Sequence, residues 1–360
     1  MEHRERVLKS LNHIEPDRPP FDFEARSEVV DSLLDFLHLS NEEDLLLYLD
    51  IDFRRGGMGP GEEFLQKGAF FHPRRKWVIE VNPGIFEDEF GIKYRTDEEG
   101  KYFGFVGYPL EKDEDLETYQ FPDPGETIRY ESLQKLVEIY KEDFFIQGEA
   151  TLTFFEQAWQ MSGYEHFIYN LYQNPGWVEK LLDKLLEFRF AQCEKYVELG
   201  VDIVWLGDDF GMQDRMMINP ELWRKFFKPR MKLLIDGYKK LNPQVFTQYH
   251  SDGYIEPIIN DLIEIGVDIL NPVQPECMDL RKIKELYGKA LTLHGTISVQ
   301  SLLPFSSLEE LENQVKEIIE ICAPGGGYIL APTHAIQTDT PLENILAVYE
   351  TGRKSIQVNQ

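Results

Sequence analysis

The sequence predicts a (β/α)8 (TIM) barrel, and three observations carry that expectation. Eight short apolar runs recur along the 360 residues, amphipathic stretches separate the later ones, and no GxGxxG follows an early run as a doubly wound nucleotide-binding sheet would require. The runs are "PPFDF" (19–23), "LDIDFRRG" (49–56), "DFFIQGEA" (143–150), "VDIVWLGDD" (201–209), "VFTQYH" (245–250), "VDILNPVQ" (267–274), "ALTLHG" (290–295) and "GYILAPTH" (327–334). Most are nearly continuous in apolar residues, as parallel strands buried on both faces are.

Each element has a local cause. "GWVEKLLDKLLEFRFAQCEKYVEL" and "IEPIINDLIEIG" repeat apolar residues at helical spacing. "ELGVDIV" at 198–204 and "EIGVDIL" at 264–270 use the same device, a glycine that ends a helix and turns the chain into a strand. N-terminal helices accompany the first runs. Between the second and third runs the texture changes. Residues 76–110, "KWVIEVNPGIFEDEFGIKYRTDEEGKYFGFVGYPL", alternate aromatic and β-branched residues around "NPG" and "DEEG" turns, which predicts an antiparallel hairpin excursion. An insertion in that loop falls on the catalytic face of a barrel, where it can wall or cover a pocket. The whole chain, 1–360, is expected to be one barrel domain.

Composition narrows the function classes. A net charge of −27 and a pI near 4.7 repel phosphate backbones and anionic membranes, so neither nucleic acid nor a membrane is an expected partner. No run approaches 18 apolar residues, and the charged start "MEHRERVLKSLNHIEPDRPP" has no apolar segment of a signal peptide. Cys193, Cys277 and Cys322 are widely spaced without CxxC, which points to a reducing, cytoplasmic setting.

Chemistry collects where the runs end. Barrel strands converge at their C-terminal ends, which brings together Asp22, Glu24, Arg54, Arg55, Glu149, Asp208, Asp209, His250, Asp252, Asn271, Gln274, His294 and His334. His250, Asp252 and His334 offer two nitrogens and one oxygen, a set that suits zinc or another transition ion. The same carboxylates and imidazoles could move protons without any metal. Ser251 and Asp252 are also the residue types that cap a helix, and Asp208 and Asp209 the types that close a turn. His3, His13, His38, His72 and His166 fall on expected surface helices or loops and receive no role. Phe154 and Trp205 could flank a planar substrate or simply pack the core. Cys277, beyond the strand end, reads as a bystander.

The opening "RERVLKSLNHIEPDRPP", the run "DIVWLGDDFGMQ", and the stretches "HSDGYIEPIINDLIEIGVDILNPVQP" and "GGGYILAPTHAIQTDTPLENI" together resemble the uroporphyrinogen decarboxylase superfamily. The resemblance implies a (β/α)8 barrel and one of two chemistries: cofactor-free decarboxylation of a porphyrinogen, or methyl transfer involving a corrinoid or a thiol, usually with zinc. The decarboxylases carry an "MRQAGR"-type arginine pair after "RPP"; here the text is "RPPFDFEARSEVV", with Arg26 alone and Asp22 and Glu24 beside it. An eight-carboxylate substrate needs more donors than that. The zinc methyltransferases carry His-x-Cys and a later Cys, where this chain has His250, Asp252 and, near the second, His334. The resemblance therefore implies a methyltransferase that passes a methyl group from a small O-methyl donor, with a methoxylated aromatic as leading guess, to the Co(I) corrinoid of a partner protein. On that reading Asp252, His334, Glu149 and Asp208 are catalytic, and Phe154, Trp205, Asn271 and Gln274 contact substrate. His250, Asp252 and His334 hold a metal, with zinc optional. The expected partners are a corrinoid protein, the methyl donor and, as an option, a second copy of the chain. A decarboxylase is the alternative.

Overall fold

The computed structural model describes residues 1–72, 76–96 and 103–354. Among the described residues twelve strands follow in chain order. β1 (Phe53–Gly57) opens the main sheet. β2 (Phe70–His72), β3 (Lys76–Asn82), β4 (Ile85–Asp88), β5 (Lys93–Thr96) and β6 (Phe103–Gly107) form a separate antiparallel sheet. β7 (Phe145–Thr151), β8 (Ile203–Gly207), β9 (Phe246–His250), β10 (Ile269–Asn271), β11 (Thr292–His294) and β12 (Tyr328–Ile329) complete the main sheet in the order β1-β7-β8-β9-β10-β11-β12, with every pairing parallel.

The segment around Phe21 closes this sheet as an eighth stave. The Asp22 N–H donates to the Leu330 carbonyl at 3.0 Å, the Leu330 N–H to the Pro20 carbonyl at 2.9 Å, and the Asp52 N–H to the Phe21 carbonyl at 3.0 Å. Each of the eight apolar runs thus supplies one stave, in sequence order, as a (β/α)8 barrel requires.

Alternation along the strands stacks the barrel interior in tiers. The floor is apolar: Phe53, Phe145, Ile203, Phe246, Ile269 and Ile329 pack together with Val7 and Leu11 of the N-terminal helix His3–Leu11. That helix is held by Asp52, a fully buried carboxylate that accepts from His3 at 2.8 Å, Arg6 at 2.6 Å, Arg18 at 2.7 Å and the Phe21 N–H at 2.7 Å. Burial works against the charge of Asp52, but these donors leave its carboxyl below the ordinary range. Two residues further along the strands come Arg55, Gln147, Trp205, Gln248 and Asn271, and the next step reaches Glu149 and His250 at the mouth. The floor is sealed and the upper tiers are polar.

The excursion forms as the alternation predicts, with the order β2-β3-β4-β5-β6. It begins earlier than the hairpin texture suggested, because Phe70, Phe71 and His72 pair with Val78, Trp77 and Lys76. The "NPG" turn joins β3 to β4, and Gly84 takes φ +69, where a side chain would be strained. The expected "DEEG" turn lies outside the described residues. The sheet sits beside the mouth: Phe105 packs edge-on against Trp159, 5.2 Å between ring centres, and the Lys76 ammonium reaches Glu149 at 2.6 Å.

Phe145→Ala, which empties part of the floor beneath the site, is expected to cost roughly 3–5 kcal/mol. Chemical denaturation compared with the unaltered chain measures this, and a loss under 1 kcal/mol would contradict the sealed floor.

Candidate active site

The mouth is built by loops that touch through their backbones. A Cβ on Gly207, at the end of β8, would stand 2.6 Å from the Cβ of His250, and one on Gly211 would stand 2.4 Å from the Asp252 carbonyl. Real Cβ atoms do not come so close, so "LGDDFG" brings the loop after β8 directly onto "HSDG" after β9. Ser251 is wholly buried; its N–H donates to the Asn271 carbonyl at 2.8 Å and its hydroxyl accepts from the Phe210 N–H at 3.0 Å. The Asp252 N–H donates to Asp209 Oδ1 at 2.8 Å.

His250 is thereby placed among acids. Its Nε2 lies 3.5 Å from Asp209 and 3.9 Å from Asp252, while its Nδ1 meets Asn271 Oδ1 at 2.6 Å. One ligand atom each from Asp209, His250 and Asp252 can be chosen so that all lie within 4.8 Å of one another. Asp252 Oδ1 is buried without a hydrogen-bond partner. An unpaired buried carboxylate oxygen is costly, and a cation answers it well. Ligand atoms about 2.0–2.2 Å from one tetrahedral ion stand roughly 3.3–3.6 Å apart, and His250 Nε2 stands 3.5 and 3.9 Å from the two carboxylates. The donor set of one imidazole and two carboxylates fits a divalent cation such as zinc.

Some sequence candidates lie here and others do not. The His334 ring centre is 6.3 Å from that of His250, and His334 is close enough to Asp252 to favour its charge, but Asp209 occupies the third position in the tight cluster. Asp208 is fully buried; it accepts from the N–H groups of Phe154, at 2.9 Å, and of Glu156, at 3.0 Å, and so caps the helix Phe155–Ser162. Phe154 is buried, with none of its side chain exposed. Gln274 braces the loop instead, accepting from the Gly253 N–H at 2.5 Å. Asn271 is engaged on both sides, by His250 and by His294. Arg54 turns from the mouth to Glu43 at 2.6 Å. Trp205 remains at the inner wall, with the Arg55 guanidinium 4.9 Å from its ring and His250 beside it. Glu149 is tied to Lys76.

Sequence reasoning brought Asp209 to the mouth but gave it no part in the cluster, and it missed Glu156 and the pairing of Arg55 with Asp22. Arg55 bonds Asp22 at 2.7 Å and Glu24 at 3.2 Å, and Glu156 accepts from the Asp209 N–H at 3.1 Å. The doubled acid of "GDD" was the available signal, but a strand period says nothing about which of two loop residues turns inward.

Proton affinities follow from this crowding. Burial lowers that of His250, but Asp209, Asp252, the bond to Asn271 and Glu24 outweigh it and raise the pKa to about 9. Burial, then Asp209 and Asp208, push Glu156 up to about 8. Burial raises Asp252 against the pull of His250, with Asp209 adding to the rise. Burial raises Asp208 to about 7 although backbone N–H groups oppose it. The cluster thus holds protons where isolated groups would have released them.

Comparison with known proteins places this geometry. The family model described as uroporphyrinogen decarboxylase (URO-D) matches residues 86–355. The methylcobamide:CoM methyltransferase MtaA of Methanosarcina barkeri is 28% identical over 170 residues, 47% of each chain. The uroporphyrinogen decarboxylase of Coxiella burnetii is 25% identical over 186 residues, 50% of this chain and 48% of that one. These matches span about half the length of the curated relatives. Among solved structures, a methyltransferase from Methanosarcina mazei superimposes with a TM-score of 0.68 over 98% of both chains at 19% identity, which is a likeness of fold. No helix of the described residues is long and apolar enough to cross a membrane.

The raised values fix a sign. His250 titrates near 9 in the folded chain against an ordinary 6.5, and Glu156 near 8 against 4.5. The folded state therefore binds more protons than the unfolded one between about pH 5 and 9, and stability falls as pH rises through that window. The contribution from His250 is complete below 6.5 and lost as pH passes 9. Melting temperatures of the metal-free chain should decline across the window, and Asp209→Asn should flatten the decline. A melting temperature that climbs over the same range would contradict this electrostatic picture.

Proposed function

We propose, from the premise that this chain belongs to the uroporphyrinogen decarboxylase family, that it is a methyltransferase. It moves the methyl group of a small O-methyl donor, with a methoxylated aromatic as the favoured class, to the Co(I) corrinoid of a partner protein. The observation that carries this reading is His250 Nε2 facing two carboxylates, Asp209 and Asp252, at the open end of the barrel. The relationship to MtaA supports methyl transfer as the reaction class.

A Co(I) corrinoid would supply the nucleophile for the methyl carbon, and a divalent ion, which His250, Asp209 and Asp252 would hold, would supply Lewis acidity. Every other requirement falls on the protein. As the ether C–O bond breaks, its electron pair stays on oxygen, and a phenolate whose acid has a pKa of about 10 is a reluctant leaving group unless it gains a proton or a positive partner. In the ion-free chain His250, raised to about 9, is protonated at neutral pH and well matched to such an oxygen. Asp252, also raised, is the second group in reach of that position. The partly exposed Arg55 guanidinium, lying over the buried Trp205 ring, offers a flat face that suits a planar donor. Glu149, near the end of β7, and His334, after β12, border the same opening from different sides of the barrel; we assign them supporting roles.

The second reading is cofactor-free decarboxylation of a porphyrinogen or another carboxylated small molecule, and the decarboxylases among the relatives favour it. The charge of the mouth argues against it. Arg55 is engaged by Asp22 and Glu24 and Lys76 by Glu149, so these cations are already neutralised for a polycarboxylate.

The purified chain, mixed with Co(I) cobalamin and a panel of methoxylated aromatic compounds, is expected to form methylcobalamin. His250→Ala and Asp252→Asn are each expected to lower kcat/KM by about 10²–10⁴-fold. Release of CO2 from a carboxylated substrate, with no methylcobalamin from any donor, would establish the second reading instead.

A further inference from the structure

His250 has two ring nitrogens, and only Nε2 faces the acids. Nδ1 points into the barrel, where a chain of hydrogen bonds runs through the polar tier. Asn271 Oδ1 lies 2.6 Å from His250 Nδ1, Asn271 Nδ2 lies 2.6 Å from His294 Nδ1, and His294 Nε2 lies 3.0 Å from Asp22 Oδ2. Asn271 and His294 are 4% and 3% exposed, so water does not compete with these partners.

We infer that Asn271 and His294 are positioning residues that fix the tautomer of His250, so that Nε2 is the nitrogen presented to Asp209 and Asp252. The inference rests on reading that cluster as the reacting centre. Its direction follows from the buried end of the chain. Asp22 is ionised: burial opposes the charge, but Arg55 at 2.7 Å, His294 and the Phe23 N–H at 2.8 Å hold its carboxyl far below the ordinary range. An ionised carboxylate only accepts, so His294 Nε2 carries the proton that faces it. Asn271 turns its NH2 towards His294 Nδ1, and because an amide NH2 only donates, that Nδ1 accepts. The Asn271 oxygen is left for His250, and an oxygen demands a proton on His250 Nδ1. Once His250 is neutral, its lone pair therefore lies on Nε2, between Asp209 and Asp252.

Reversing any link inverts all of them. With Nδ1 as the acceptor, His250 would place its proton among the acids and its lone pair against an amide, and could not serve as a ligand at the mouth. A carboxylate bonded directly to His250 Nδ1 would also orient the ring but would add a buried charge beside it. The neutral amide transmits orientation and leaves the charge on Asp22, at the far side of His294.

His294→Gln tests this because a glutamine carboxamide offers one acceptor and one donor at about the separation of the two imidazole nitrogens. His294→Leu removes both. In the metal-free wild-type chain labelled with 15N-histidine, two-bond 15N–1H spectra should show the His294 proton on Nε2 and none on Nδ1. A proton on Nδ1, or on both nitrogens, overturns the inference. The His250 Nδ1–H signal should persist in His294→Gln and be lost or broadened in His294→Leu. Zn2+ affinity, measured by chelator competition, should fall about 10–100-fold in His294→Leu and stay within about threefold of wild type in His294→Gln. Equal Zn2+ affinity in wild type and His294→Leu also overturns it. Should His294→Leu fail to fold, the wild-type spectrum and His294→Gln decide. A wild-type chain that binds no Zn2+ counts against the metal reading of the site, while the spectra still decide the tautomer.

Discussion

The buried carboxylate of Asp22 is the interaction around which the molecule is arranged. An ion-sized charge removed from water costs several kcal/mol unless it is met by donors. Asp22 meets Arg55, His294, the Phe23 N–H and, at 3.3 Å, the Gln147 amide. Its own N–H makes one of the bonds that close the barrel onto Leu330, and its carbonyl accepts from Tyr349 at 2.9 Å. One residue thus joins the first stave to the last and commits the tier above the floor to polar chemistry. Removing the charge would leave Arg55 and His294 with unmatched donors inside the barrel, so this tier stands or falls as a unit.

The apolar floor and the polar tier divide the work. Phenylalanine and isoleucine side chains at the bottom fill the barrel and fix strand spacing, which leaves the upper residues positioned by rigid neighbours. Above them, the site depends on close backbone approach more than on side-chain packing. Gly207 and Gly211 let two loops meet at distances any larger residue would forbid, and the meeting sets Asp209 and Asp252 side by side. Two like charges held together by backbone contact repel each other, and that stored repulsion is what a proton or a cation relieves.

Much of this was legible in the chain, for physical reasons. A parallel strand covered on both faces must be apolar along its whole length, so eight staves could be read from eight runs. The ends of those runs gave His250, Asp252, Asn271 and Trp205, because the period of two persists to the last paired residue. It fails one step beyond. β8 ends at Gly207, and the turn that follows sends Asp208 down to cap a helix and Asp209 up to the mouth, a choice made by the Phe154 and Glu156 N–H groups 52 to 54 residues earlier. The pairing of Asp22 with Arg55 was likewise hidden, since it joins two staves through the barrel interior rather than along either strand. The hairpin excursion showed its alternation, but nothing in it announced that Lys76 would reach Glu149.

The chemistry of the mouth turns on competition between a proton and a cation for the same nitrogen. Without an ion, His250 is held charged by Asp209 and Asp252, and Glu156 keeps its proton as well. Loading a divalent ion must expel the proton on Nε2, so binding and protonation are linked and oppose each other as pH falls. The carboxylates matter in both states. They raise the proton affinity of the imidazole in one, and in the other they present hard oxygen donors where thiolates would present soft ones. Hard donors leave an ion more Lewis acidic and so better suited to polarising an oxygen. On the proposed reading, an ether oxygen, neutral on arrival and negative as its methyl carbon departs, would gain from positive charge at this position in the transition state more than in the ground state. A polyanionic substrate would meet Glu24, Asp209 and Asp252 on arrival. On the methyl-transfer reading proposed above, the balance of charge at the mouth therefore suits a neutral methyl donor and reserves the electrostatic stabilisation for the moment the bond breaks.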